Sequence, residues 1–142
     1  MRPNAFWIRW MTVVAAAMVA LGVVMAIAGG TGLLGFLNDR FDPTFWGDAP
    51  VPEPAVDYRA WLFAVLGGTM AGWSVAMIVL IRRGIAEGIR WAWTAVALGL
   101  AVWYPLDTGY SLGHHVWINA VGNTVILASM AVPLLIVRRS TR

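Results

Sequence analysis

Four long apolar segments fill most of this 142-residue sequence and restrict what it can fold into. They cover residues 7–28, 58–81, 90–106 and 115–137. A membrane-spanning helix needs about 20 mostly apolar residues, with a range of about 17–25. The first, second and fourth segments reach that length, whereas the third is short, because only 16 residues separate Arg90 from Asp107. The pattern predicts an all-α integral membrane protein, with four transmembrane helices in one antiparallel bundle formed by the whole chain.

The composition indicates that the solvent of this chain is lipid. Hydrophobic residues make up 60% of the sequence and charged residues only 12%, against about 25% charged residues in soluble domains. A soluble chain of this length could not bury so much apolar surface. The absence of cysteine excludes disulfides, thiolate catalysis and cysteine-ligated metals. Arginine supplies all ten basic residues; these lie at segment ends and form no patch, so no nucleic-acid partner is predicted.

The distribution of arginine predicts the orientation in the membrane. Only Arg40 and Arg59 fall on one side of the predicted bundle. The other eight flank the opposite ends of the segments: Arg2, Arg9, Arg82, Arg83, Arg90, Arg138, Arg139 and Arg142. Because cytoplasmic loops carry an excess of arginine and lysine, both termini are predicted to be cytoplasmic. The first apolar segment is longer than the roughly 7–15 residues of the apolar region of a signal peptide, so we expect a retained helix. The predicted location is the inner membrane, crossed several times.

Two connections carry further local signals. The long first loop contains Asp42-Pro43, a pair typical of an N-cap followed by a first-turn proline. We therefore expect a short helix to open there and run through Trp46, on the outer membrane face or on the bundle. Between the third and fourth helices, Gly109 and Gly113 delimit a stretch that predicts a short turn.

Small residues recur at every fourth position of the second segment. Ala64, Gly68, Gly72 and Ala76 share one helical face, and Gly68 and Gly72 form a GxxxG motif. Helices approach closely where side chains are this small, and gain van der Waals contact that lipid cannot supply. The sequence leaves two interpretations open: packing inside this bundle, or contact with another subunit.

A second set of residues places polar groups in or beside apolar segments. Asp107 follows the third segment, and His115, Asn119 and Asn123 fall on one face of the fourth. Such groups are costly in hydrocarbon, so they usually form hydrogen bonds with one another or serve a function. We expect these four residues to form one connected polar site beneath the outer membrane face. Its role is either interhelical hydrogen bonding or the binding of a small molecule.

The evidence for catalysis or metal binding is weak. Residues 109–113 read Gly-Tyr-Ser-Leu-Gly, a match to G-x-S-x-G, with Asp107 and His115 nearby. A nucleophile elbow requires a preceding strand, and a predicted helix precedes this one. A Ser-dependent membrane hydrolase therefore remains only a remote alternative. His114 and His115 are adjacent and lack the spacing of paired ligands, so no metal site is predicted.

In layout the chain resembles small four-span bacterial membrane proteins, a likeness that implies a fold and no activity. We expect a non-enzymatic inner-membrane protein, in contact with the lipid bilayer, that acts as an accessory or packing subunit of a larger membrane assembly or of a homo-oligomer. The alternative is a membrane binder of a quinone, pigment, haem or lipid at the outer end of helices three and four. The sequence identifies no particular cofactor.

Overall fold

A computed structural model describes residues 4–138 of the chain, and every regular element in that range is helical. Short 3-10 or π turns adjoin the helices at Gly32–Leu34, Leu80–Gly84 and Ile85–Glu87. The α-helices are α1 (Ala5–Ala28), α2 (Gly35–Trp46), α3 (Glu53–Val79), α4 (Arg90–Gly113) and α5 (Trp117–Val137). Arg2, Arg139 and Arg142, which enter the topology prediction, lie outside the described residues.

Three of the described helices are long and apolar enough to cross a membrane. They are α1 with 24 residues, the continuous helix Glu53–Glu87 with 35, and α5 with 21. Each exceeds the about 17 residues that a spanning helix needs. The chain is therefore a helical membrane protein. Helix α4 reaches the same length, but its Arg90, Asp107 and Ser111 make it more polar than the other three.

Helix α4 differs most from the sequence prediction. It does not end at residue 106 but continues to Gly113, with Pro105 inside it. The turn predicted at Gly109–Gly113 is therefore wrong, and the connection to α5 is the short stretch 114–116. Within the continued helix, Ser111 Oγ donates to the Asp107 carbonyl at 2.8 Å, so its hydroxyl has a partner on its own helix.

Helices α2 and α3 also begin earlier than predicted. Helix α3 starts at Glu53 rather than at residue 58, with Pro54 in the first turn, where a missing N–H costs no helical hydrogen bond. The short helix in the first loop begins at Gly35, so Pro43 lies inside it rather than at its start. Asp42 is not its N-cap. Its carboxylate instead pairs with Arg59, which fastens α2 to the first turns of α3.

The backbones of helices α1 and α3 are in close contact. A Cβ on Gly22 would lie 2.6 Å from the Gly67 carbonyl oxygen and 2.8 Å from the Ala71 nitrogen. Two turns further along, just past the end of α1, a Cβ on Gly29 would collide with Phe63. Glycine is needed here because any side chain would push the two backbones apart.

The buried apolar core lies towards the end of the bundle that carries the turn 84–89. All helices except α2 contribute to it. The core consists of Met11, Ala15, Met77, Ile81, Ile85, Ala92, Val96, Leu100, Met130, Leu134 and Val137. Two indole N–H groups join neighbouring helices beside it: Trp10 donates to the Ser129 carbonyl at 3.0 Å and Trp93 to the Leu134 carbonyl at 2.7 Å. The opposite end of α4 and α5 is where the polar residues collect.

Candidate functional site

A carboxylate, two amides, two hydroxyls and an indole meet between α4 and α5. We call them the Asp107 cluster: Trp103, Asp107, Thr108, Ser111, Asn119 and Asn123. Trp103, Asp107 and Ser111 are spaced by four residues, so they share one face of α4. Asn119 and Asn123 have the same spacing on α5. The two faces meet because the connection between the helices is only three residues long, residues 114–116.

The Asp107 carboxylate accepts three hydrogen bonds from these side chains. Asn119 Nδ2 lies 2.7 Å and Asn123 Nδ2 lies 2.8 Å from Asp107 Oδ1. The Trp103 indole nitrogen lies 3.1 Å from Oδ2. All three neighbours donate and none accepts, which matches a carboxylate acting as acceptor only.

The orientation of both amides follows from the carboxylate. An amide oxygen facing Asp107 Oδ1 would place two acceptors together, so each amide must present its nitrogen. The second proton of Asn119 Nδ2 then reaches Ser111 Oγ at 2.7 Å. The second proton of Asn123 Nδ2 reaches Thr108 Oγ1 at 3.3 Å. Every amide proton of the Asp107 cluster is therefore accounted for.

Burial makes these contacts costly to lose. Thr108 and Asn123 are each only 5% exposed, and Asp107, Ser111 and Asn119 are half-buried. A single hydrogen bond between membrane helices contributes about 0.6 kcal/mol on average, whereas an unpaired buried polar group costs roughly 1–3 kcal/mol. The Asp107 cluster therefore fixes how α4 and α5 pack, chiefly because any mispairing would leave polar groups without partners.

Three of the four predicted site residues come together, and His115 does not. Among the described residues, no hydrogen bond involves the His115 imidazole, whose ring instead lies 6.4 Å from that of Trp117. The difference follows from the length of α4, which carries the chain nearly two turns past Asp107 before the histidines begin. His115 is exposed in the connection, with a left-handed φ of 60°. His114 lies beside the Tyr110 ring at 4.9 Å.

The Gly-Tyr-Ser-Leu-Gly stretch lies inside a helix. Ser111 donates to its own helix and accepts from Asn119. Within residues 4–138 neither histidine forms a hydrogen bond with Ser111, so the described structure supplies its hydroxyl with no imidazole base. A strained turn that would expose the hydroxyl is also missing from α4, which is α-helical throughout this stretch.

The small-residue face of α3 points away from the other described helices. Gly68, Gly72 and Ala76 are exposed, while Ala64 is half-buried. A Cβ added to Gly68 or Gly72 would meet no side chain and no other helix within 4 Å. The contact inside the chain instead uses Gly67, one residue out of register with this face. Packing of Gly68 and Gly72 within the bundle, one of the two sequence interpretations, is therefore not what this chain uses them for.

Beside the Asp107 cluster, α4 and α5 also line an open groove of about 330 Å³. Its walls are formed by Tyr104, Thr108, Leu112, Trp117, Ala120, Val121, Thr124 and Val125. A hydrogen bond of 3.1 Å between Tyr104 Oη and Thr124 Oγ1 joins its two sides. Sequence reasoning missed Trp103, Thr108, Ser111 and this tyrosine–threonine pair. The four-residue spacing of Trp103, Asp107 and Ser111 carried the signal, but a helix ending at residue 106 concealed it.

The fold and the Asp107 cluster define a helical membrane protein with a carboxylate–amide centre between two helices. Within the described residues, no group of three or more His, Cys, Asp or Glu side chains is placed to hold a metal ion. No protein-family model matches the chain, and neither a curated protein nor a solved structure matches it.

Proposed function

We propose that this chain is a non-enzymatic inner-membrane protein that acts as a packing subunit, either of a homo-oligomer or of a larger membrane assembly. One observation carries the proposal. Helix α3 presents Gly68, Gly72 and Ala76 on an outward face that no described part of the chain covers. Glycines spaced by four residues allow a second helix to approach within backbone contact, and lipid chains gain little from such a surface.

The internal packing of α3 supports this interpretation. Gly67 meets Gly22 of α1, so one small-residue face of α3 already forms a close helix contact. Gly68 begins a second face of the same kind, turned away from α1 by about 100°. A helix that needed glycine only for internal packing would require the first face alone. The second face is explained by a partner helix from another subunit.

The Asp107 cluster supports a structural rather than a catalytic role. Its carboxylate is enclosed by N–H donors, and its serine donates to its own helix. A general base or nucleophile must instead be free to reach a substrate. The hydrogen bonds of the cluster give α4 and α5 a defined packing that a partner subunit can recognise.

Four membrane passes with both termini cytoplasmic complete the proposal. Helix α4 has 24 residues, as many as α1, and at about 1.5 Å per residue it is long enough to cross a bilayer. Arg90 lies at one end of α4, where its side chain can extend to the interface. The cluster provides partners for the polar groups nearer the other end. The uneven distribution of arginine gives the orientation.

The test compares leucine substitutions on the outward face of α3 with one elsewhere on the surface. Gly72→Leu and Gly68→Leu should leave the helical content unchanged and shift the detergent-solubilised protein from an oligomer to a monomer. Their matched control is Ala128→Leu, which adds a similar bulk to an exposed small residue of α5. Light scattering after size exclusion, and crosslinking in native membranes, report the assembly state. A wild-type chain that is monomeric and without crosslinked partners in membranes would contradict the proposal.

A further inference from the structure

One residue that lines the groove between α4 and α5 has a hydroxyl with no acceptor among the described residues. Thr108 lines the groove and is 5% exposed. Its Oγ1 accepts a hydrogen bond from Asn123 Nδ2, whose orientation is fixed by Asp107. Unlike Thr94 and Thr124, which donate to the carbonyl four residues earlier, Thr108 donates to nothing among the described residues. A buried donor of this kind costs free energy unless an acceptor arrives from outside the chain.

The two other hydroxyl groups of the groove, on Tyr104 and Thr124, already have partners. Thr124 Oγ1 donates to the Ala120 carbonyl at 2.8 Å, which uses its only proton. The 3.1 Å contact with Tyr104 therefore has the tyrosine as donor. Tyr104 can then only accept further hydrogen bonds. The free side-chain protons among the described lining residues are therefore those of the exposed Trp117 indole and of the buried Thr108 hydroxyl. An occupant must bring an acceptor to Thr108.

The lining restricts the chemistry of the occupant. None of its eight residues is charged, and none is a histidine. A phosphate head group would find no cation among them, and a haem or chlorophyll would find no axial ligand. What fits is a neutral apolar molecule with a carbonyl oxygen. Tyr104 and Trp117 add aromatic rings that favour a flat ring in the occupant.

The shape of the groove agrees with that chemistry. Its volume of about 330 Å³ falls at the small end of ligand pockets and suits one ring system. Trp117, Val121 and Val125 are 61%, 62% and 60% exposed. The groove therefore opens sideways along α5, so an apolar tail can extend from it among the lipid chains. Trp117 belongs to the end of α5 nearest the predicted outer interface. The ring of the occupant would therefore lie just below the outer membrane surface.

We propose that this groove binds a membrane quinone, with a ring carbonyl accepting a hydrogen bond from Thr108. The proposal concerns binding alone and includes no electron transfer. It does not depend on the packing role of α3, because the groove lies on α4 and α5. Loss of oligomerisation and loss of quinone binding are therefore separable results.

The probe is an azidoquinone with a short alkyl tail, photolysed with the full-length protein in lipid nanodiscs. Mass spectrometry of the peptides should locate the label in residues 104–112 and 117–125. An excess of the matching unmodified quinone should suppress it. Val121→Trp fills the groove and should abolish the competed label. Val132→Trp is the matched control, since it places the same ring on the lipid-facing side of α5 outside the groove.

Substitution of Thr108 tests the hydrogen bond itself. Thr108→Val should raise the competitor concentration for half-suppression about five-fold, the effect of one neutral hydrogen bond. Thr108→Ser keeps the hydroxyl and should stay close to wild type. Label spread over every lipid-facing helix, label that competitor does not suppress, or equal labelling of the two tryptophan variants would overturn the proposal. So would a phospholipid that co-purifies with wild type, is lost in Val121→Trp and is not displaced by quinone.

Discussion

Asn119 Nδ2 lies 2.7 Å from Asp107 Oδ1, although the two residues belong to different helices. The contact forms because α4 continues past Asp107 to Gly113 and α5 returns alongside it after three residues. Asn123 adds a second N–H to the same oxygen, at 2.8 Å, one helical turn deeper. A single carboxylate oxygen therefore holds two successive turns of α5 against α4.

Removal of the carboxylate should destabilise the protein more than removal of the whole polar group. Asp107→Leu leaves the Asn119 and Asn123 amides without their acceptor, and we expect the free energy of unfolding to fall by roughly 1–3 kcal/mol. The triple replacement of Asp107, Asn119 and Asn123 by leucine should recover part of that loss, because no buried amide then lacks a partner. Unfolding in mixed micelles, followed by circular dichroism, measures both. A triple variant less stable than Asp107→Leu would contradict this account.

The same substitution at two adjacent glycines of α3 should change the free energy of unfolding differently. A Cβ on Gly67 would lie 2.6 Å from the Ala26 nitrogen and would also collide with the Gly22 carbonyl oxygen. Because both obstacles are backbone, we expect Gly67→Ala to lower the free energy of unfolding by about 1–3 kcal/mol. Gly68→Ala meets no other helix and should be neutral, or stabilising by up to about 1 kcal/mol through helix propensity. Thermal unfolding in a detergent that dissociates the oligomer distinguishes them, and equal melting temperatures would show that α1 and α3 do not touch at Gly67.

The orientation can be tested directly because the chain has no cysteine. Asp48 lies in the connection between α2 and α3, and Glu87 lies in the turn between α3 and α4; both are exposed. In intact cells an impermeant maleimide should label Asp48→Cys and leave Glu87→Cys unlabelled until the cells are opened. The reverse pattern would invert the predicted topology. Labelling of both positions in intact cells would mean that residues 53–87 do not cross the membrane.

Sequence patterns reached part of the Asp107 cluster for a clear physical reason. Polar side chains in apolar segments must have partners, so Asp107, Asn119 and Asn123 could be grouped by their positions in the sequence alone. The prediction that His115 joins this group was wrong. Its place depended on where α4 ends, and the glycines at 109 and 113 suggested a turn. The helix instead continues through both glycines, and Ser111 donates to a carbonyl of its own helix.

The sequence by itself determined the helical membrane class, the main apolar segments and the residues that could not remain unpaired in lipid. Those properties follow from transfer free energies, which each segment carries alone. The tertiary structure decided which of two adjacent glycines meets α1, which amide protons reach Asp107 and which threonine of the groove keeps a free hydroxyl. These outcomes depend on how each helix is rotated about its axis and on the residue at which it ends. A rotation of about 100°, the angle between neighbouring residues, exchanges Gly67 for Gly68 at the contact. The close fit at Gly22 fixes that rotation, and only packing between helices can set it.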